Sequence, residues 1–283
     1  MANFKIALGA GHRMATPGKH CLKSLDPQET REWYLNDRIC DYVELFLKDY
    51  TGYELLRVDD TKGEKEITLA SRVKAANDWG ADYALAVHHN AGVKGGAGGG
   101  VEVYRHPNSS AESVAWQDDI YEALIKHTGL KGNRSQPKAT ANFYVLKHTK
   151  MPATLLELGF MDSSSDAPVI LTDSYAQKCA RAIVEVLAKR GKLTKKNATS
   201  TQTAKPECAK SYSKSYSKTW VVIALDGLNM RLGAGTDKHI LANLKKGTKF
   251  KCYGYYTKQN DGTVWLYGVA AGKTGYCSAK YLK

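Results

Sequence analysis

Apolar positions along the first two thirds of the chain follow two rhythms in turn. Phe4-Lys5-Ile6-Ala7-Leu8 is a short β-type run closed by the turn Gly9-Ala10-Gly11. Between residues 29 and 50 the apolar side chains Trp33, Leu35, Ile39, Val43, Leu45, Phe46 and Leu47 recur close to helical spacing. A strand follows over 53–58, a helix over 69–78, and a strand over 83–87 with no polar interruption. Val101-Glu102-Val103-Tyr104 alternates like an edge strand, and a helix is predicted over 111–127. Phe143-Tyr144-Val145-Leu146 and Thr154-Leu155-Leu156 read as two more strands, and residues 174–189 as an amphipathic helix. Strands separated by helical patterns predict an α/β fold: a mainly parallel twisted sheet flanked by helices on both faces.

That rhythm stops near residue 190. Residues 189–218 read KRGKLTKKNATSTQTAKPECAKSYSKSYSK, almost without large aliphatic side chains. Such a stretch buries too little apolar surface to offset its ordering entropy. The expected organisation is a domain over 1–190, a flexible basic linker over 191–218 and a smaller unit over 219–283. In the last of these, short strands and Gly-rich turns suit a small all-β barrel.

Composition agrees with this division. At 283 residues and 43% hydrophobic content, the chain has material for one ordinary domain plus something smaller. No apolar run approaches the roughly 20 residues that span a bilayer, so no membrane insertion is expected. Met1-Ala2-Asn3-Phe4-Lys5 lacks the basic stretch and long apolar core of a secretory signal. Synthesis and first folding in a cytoplasm are therefore expected, and the six cysteines, which form no CxxC pair, read as reduced thiols. Cys252 with Cys277 is the one pairing left open.

The net charge of +13 is unevenly placed. Residues 1–189 carry 23 Lys and Arg against 24 Asp and Glu, residues 190–219 carry 8 against 1, and residues 220–283 carry 10 against 3. The whole excess lies in the last third, where it suits attraction to a polyanion or is simply a solvated basic linker.

Three apolar segments end in a metal-ligand or carboxylate residue: residues 4–12 in His12, residues 83–88 in His88 and residues 153–157 in Glu157. Run parallel in one sheet, their ends meet at the edge where open α/β sheets keep their chemistry. Glu32 lies one helical turn before Asn36, so both face one side of their helix. Two His and one carboxylate, with water in the remaining position, form a catalytic zinc set, whereas closed structural sites use four protein ligands. Glu157, flanked by apolar residues, is expected to be desolvated, which raises its pKa toward the range of a general base. Taken singly, each of these residues has a plain structural reading: a hydrogen-bonded His, a solvated helical Glu, a capping Asn.

Together, Gly-Ala-Gly-His12, Glu32-Trp-Tyr-Leu-Asn36, Arg72 with Ala76-Asn77 and Ala81-Asp82, Val87-His88-His89-Asn90-Ala91 and Pro152-Ala-Thr-Leu-Leu-Glu157-Leu-Gly-Phe160 resemble the zinc-dependent N-acetylmuramoyl-L-alanine amidases of autolysins and phage endolysins. The resemblance covers about residues 1–190. It implies one Zn2+ per catalytic domain on His12, Glu32 and His88, with His88 chosen over His89 because it stands two before Asn90. It also implies Glu157 as the catalytic carboxylate and cleavage of the amide between N-acetylmuramic acid and the L-alanine of the stem peptide. Asn36, Asn90 and Lys147 are candidates for substrate contact, with the Gly95-to-Gly100 loop and the segment Lys147-His148-Thr149-Lys150. Gly-Ala-Gly-His12-Arg13 departs from the family's usual Asp-Pro-Gly-His-Gly, which affects loop shape and leaves the ligand in place.

Residues 219–283 resemble the bacterial SH3-like wall-binding domains, on Leu228-Asn229-Met230-Arg231-Leu232-Gly233, Leu244-Lys245-Lys246-Gly247, Val264-Trp265-Leu266-Tyr267 and Gly275-Tyr276-Cys277. The partners implied are bacterial peptidoglycan and, through the basic tail, anionic wall polymers, with Tyr255, Tyr256 and Tyr267 as contact surface. Joined to the missing signal, this arrangement favours a phage or prophage endolysin that acts on the wall after release. The alternatives are a zinc peptidase cutting within the stem peptide and a non-catalytic wall- or DNA-binding protein. No nucleic-acid partner is expected, because the neutral first domain has no basic recognition helix and the tail no nucleic-acid motif.

Overall fold

Alternation of side chains decides the layering of the first of two compact units, Met1–Lys196 and Asn197–Lys283, in the computed structural model. Residues 2–196 and 207–283 are described. Strand β1 (Phe4–Ala10) sends Ile6, Leu8 and Ala10 into one core and Ala7 into another on the opposite face. Along the chain follow α1 (Glu32–Leu47), β2 (Tyr50–Thr51), β3 (Tyr53–Arg57), α2 (Leu69–Trp79), β4 (Tyr83–Asn90), β5 (Val101–Arg105) and α3 (Ala111–Thr128). The unit closes with β6 (Lys138–Thr140), α4 (Tyr144–His148), β7 (Ala153–Phe160), α5 (Ala167–Ile170), α6 (Asp173–Arg190) and β8 (Thr194–Lys195).

The main sheet has the order β3-β1-β4-β7-β5-β6. Its first four strands are mutually parallel, β5 runs antiparallel to β7, and β6 runs parallel to β5. Helices α1, α3 and α6 supply Leu35, Ile39, Val43, Trp116, Ile120, Ile183 and Leu187 to the larger core, against Tyr83, Leu85 and Val87 of β4. Tyr83 stacks on Trp116 with ring centroids 3.8 Å apart, a pairing worth about 0.5–1.5 kcal/mol beyond its area. On the other face α2 and the short α4, with Val58 and Met151, cover the small side chains Ala7, Ala84 and Ala153. This thin cover leaves a groove over the sheet.

Local pattern and tertiary setting disagree at four places. Phe143 caps α4 and residues 144–146 begin that helix instead of forming a strand, since an apolar run of four has no decisive period. Strand β5 is interior, with Val101, Glu102 and Val103 all buried, because β6, which carries no apolar signal beyond Ala139, covers its outer side. The strand ending in His88 continues to Asn90. The stretch expected as a linker is ordered at both ends: β8 pairs with β2, and residues 211–218 belong to the first strand of the second unit. Residues 197–206 of that stretch lie outside the described residues.

The second unit contains β9 (Ser211–Val221), β10 (Leu228–Arg231), β11 (Ile240–Leu244), β12 (Lys249–Lys258), β13 (Val264–Ala270) and β14 (Lys273–Ser278). They form one antiparallel sheet in the order β11-β10-β14-β13-β12-β9 around Met230, Phe250, Leu266 and Cys277. Strand β9 is ordered because Tyr216 and Trp220 come four residues apart, on one face, and pack against that core while its backbone pairs with β12. All six cysteines are free thiols, Cys252 and Cys277 included. Among the described residues no helix is long and apolar enough to cross a membrane.

Candidate metal centre

Strands β1, β4 and β7 lie side by side and parallel, so their carboxyl ends share one edge. At that edge β1 bends at Gly11, whose N–H donates to Val87 O at 2.8 Å. A Cβ on Gly11 would fall 2.1 Å from His88 Cε1, so only glycine lets the two strands' residues approach. His12 follows in the left-handed region at φ 65°. The Arg72 guanidinium, reaching over from α2, holds this bend by donating to Ala10 O and, at 3.2 Å, to His12 O.

His88 lies on the face of β4 shared with Ala84 and Ala86, toward the groove; His89 follows Tyr83, Leu85 and Val87 to the opposite face, where it is buried. The third group, Glu32, starts α1 and has no exposed surface. An acidic residue in the first turn is favoured by the helix dipole. Its Oε2 lies 3.3 Å from His12 Nε2, and its Oε1 lies 3.1 Å from His88 Nδ1. His12, Glu32 and His88 each offer a donor atom, all within 4.8 Å of one another.

Electrostatics separate the two buried carboxylates. Burial alone would raise the Glu32 pKa, but the imidazoles of His12 and His88 outweigh it and hold the carboxyl well below its ordinary value. Glu157 has no such partner. Burial, followed by the negative charge of Glu32, pushes its pKa well above the carboxylate range, with Lys19 opposing and Glu102 adding. It pairs in register with His88 on one side and Glu102 on the other, and its Oε2 is buried without a hydrogen bond. Burial lowers the His88 pKa and takes that of His89 down to about 3.

Two of the residues expected to contact substrate are engaged elsewhere. Asn36 is fully buried and bonded to Gly11 O, Glu32 and His89. Asn36 and Glu32 do share one side of α1, as their spacing predicts, and that side is buried. Asn90 is half-buried, donating to Glu102 Oε2 at 2.8 Å and accepting from Ala91 N. Lys147 is exposed on α4, while its neighbours Phe143, Tyr144, Val145 and Leu146 line the groove. That groove, of about 490 Å³, runs from His12, His88 and Glu157 along Ala86 and Leu155. In the 95–100 loop, Gly99 N and Gly100 N are tied to Asn133 and Asp166.

Three further residues stand at the site, two of which their local sequence does not mark. Lys19 brings its ammonium to 3.6 Å from Glu32 Oε2 from a loop without periodic signal. Glu102 is a buried acid on a strand whose pattern reads as an edge. His89 was legible by parity: it continues the 83-85-87 alternation into the core.

The sequence of the N-acetylmuramoyl-L-alanine amidase family matches residues 6–189, and that of the bacterial SH3 domain matches residues 226–283. The chain is 32% identical over 191 residues to the N-acetylmuramoyl-L-alanine amidase CwlM of Bacillus licheniformis, covering 68% of this chain and 70% of that one. It is 36% identical over 137 residues to a sporulation-specific N-acetylmuramoyl-L-alanine amidase of Bacillus subtilis (strain 168), covering 48% of this chain and 50% of the other. The fold is shared with the catalytic domain of CwlV, an amidase from Bacillus (Paenibacillus) polymyxa var. colistinus, at a TM-score of 0.58 and 22% identity, over 66% of this chain and 97% of that one. Sequence match and sheet topology thus converge on the first unit, and the chain belongs to the N-acetylmuramoyl-L-alanine amidase family.

Proposed function

We propose that the first unit hydrolyses the amide between N-acetylmuramic acid and the L-alanine of the peptidoglycan stem peptide, with one zinc ion held by His12, Glu32 and His88. The donor set fits the ion: two imidazoles and a carboxylate are the three protein ligands of an open catalytic zinc site. Glu32 Oε2 is buried and receives no hydrogen bond, with His12 Nε2 at 3.3 Å and the Lys19 ammonium at 3.6 Å. Bound there, zinc supplies Lewis-acid polarisation of the scissile carbonyl and lowers the pKa of water to about 7.

Glu157 carries the proton. Its raised pKa suits a group that takes a proton from the attacking water and returns it to the amide nitrogen, which leaves poorly unless protonated. Arg72 keeps His12 in place through its two carbonyl contacts, and the groove beside His88 offers a wall for the substrate chain. The observation that carries this reading is the meeting of three donors within 4.8 Å beside a carboxyl whose Oε2 is buried and unpaired.

The second unit, on this proposal, docks on the wall. Tyr253 and Tyr255 are about half-exposed and Tyr212 more so, while Tyr256 and Tyr267 are partly buried and Tyr276 wholly. Five lysines and no acidic residue occur in β9 and β12, which suits anionic wall polymer. Tethering raises the effective concentration of the first unit on an insoluble substrate. The test is the new end group released from Gram-positive peptidoglycan. Free N-terminal L-alanine that vanishes with chelator and returns with zinc is the expected result; a different amino terminus moves the cut into the stem peptide.

A further inference from the structure

Asn36 and His89 lie outside the proposed zinc ligands and outside the groove, yet their polar atoms converge on Glu32. Asn36 Nδ2 lies 3.2 Å from Gly11 O and 3.4 Å from Glu32 Oε1, both acceptors. This orients the amide, so Oδ1 must accept, and it faces His89 Nδ1 at 2.8 Å. His89 therefore carries its proton on Nδ1, which leaves Nε2 a bare acceptor, buried and without a partner. A leucine would fill the same space and leave no nitrogen unpaired, so packing does not account for an imidazole here. The backbone N–H of His89 adds a 3.3 Å contact to Glu32 Oε1. The two carboxylate oxygens are thus unequal: Oε1 meets Asn36 Nδ2, the His89 N–H and, at 3.1 Å, His88 Nδ1, whereas Oε2 receives no hydrogen bond and lies 3.3 Å from His12 Nε2 and 3.6 Å from the Lys19 ammonium.

We infer that His89, acting through Asn36, is a positioning residue that commits Glu32 Oε1 to the protein and leaves Oε2 as the oxygen presented to the metal. The inference rests on the zinc reading above. It differs from a packing role in requiring a donor at one nitrogen of residue 89. Loss of such an outer hydrogen bond weakens metal binding about 10- to 100-fold.

The test uses the full chain and reads zinc affinity by competition with a chromophoric chelator, together with melting of the zinc-free protein. His89→Ala is expected to weaken zinc by about 10- to 100-fold. His89→Asn, whose amide nitrogen can take the place of Nδ1, is expected to recover most of that loss. Added to Asn36→Ala, His89→Ala is expected to weaken zinc no further, because one acts through the other. In the wild-type protein, nitrogen-15 NMR of the imidazole is expected to find the Nδ1–H tautomer, a readout that needs no variant to fold. Wild-type zinc affinity in His89→Ala, equal weakening in His89→Ala and His89→Asn, or an Nε2–H tautomer overturns the inference. Zinc binding that Glu32→Gln leaves unchanged overturns the metal site itself, and with it this inference, so the two failures are distinguishable.

Discussion

In the first unit Glu32 has no exposed surface, His89 is buried, and Glu157 keeps an oxygen buried without a partner. In the second unit the side chains suited to binding, Tyr212, Tyr253, Tyr255 and the lysines of β9 and β12, stand in solvent. The two units therefore hold function at different cost to the fold. Burying charged or unpaired polar groups opposes folding and is sustained only by a precise surround; exposed rings and ammonium groups oppose it little. Single substitutions among these functional side chains should accordingly switch the first unit off and merely grade the second.

The comparison breaks first at Glu157. Replacing it by Gln is expected to lower turnover on peptidoglycan by about 10²- to 10⁴-fold, with zinc content by metal analysis unchanged. Loss of zinc in step with activity would move Glu157 into the ligand set. Next is Phe250, fully buried in the second unit. Phe250→Ala is expected to remove about 3–5 kcal/mol from that unit, seen by calorimetry as loss of its transition. Hydrolysis of a soluble muramoyl peptide should survive this change while hydrolysis of whole walls falls; an equal fall in both would mean that the units do not act separately.

Chelation gives a smaller and selective effect. Withdrawing zinc held at a hundredfold excess over its dissociation constant is expected to cost the first unit about 2.7 kcal/mol and to leave the second unit's melting unchanged. Smallest is the joint change of Lys214 and Lys218 to Gln on β9. Retention on purified walls should drop several-fold at low salt and converge with wild type at high salt. Folding stability should stay within about 0.5 kcal/mol, since both side chains are exposed. Salt-independent retention would assign the contact to the tyrosines instead.

The meeting of His12, Glu32 and His88 was legible because each follows a strong local signal. His12 and His88 come at the ends of apolar runs, and Glu32 opens a helix with clear periodicity. Helix α4 was not legible: four apolar residues fit a strand equally well, and packing of Leu146 beside Ala153 and Leu155 made the choice. Strand β9 was hidden by composition, since its Ser and Lys residues mask the spacing of Tyr212, Tyr216 and Trp220 until β12 supplies a partner. Asn36 shows the limit of helical spacing, which places it beside Glu32 but is blind to whether that side is solvent or core.

By itself the sequence determined the alternating strand and helix pattern of the first unit, the residues at its strand ends and the shift of charge toward the second unit, because periodicity and composition are properties of neighbours in the chain. Tertiary structure alone decided that β1, β4 and β7 are adjacent, that Lys19 reaches Glu32 and that β5 is covered by β6. It also decided that Glu32, buried like Glu157, is held low, whereas the rise at Glu157 was expected from its apolar flanks. Those outcomes depend on the water excluded and the charges met by groups far apart in sequence, such as Glu32 beside His88 and Glu157 beside Glu102.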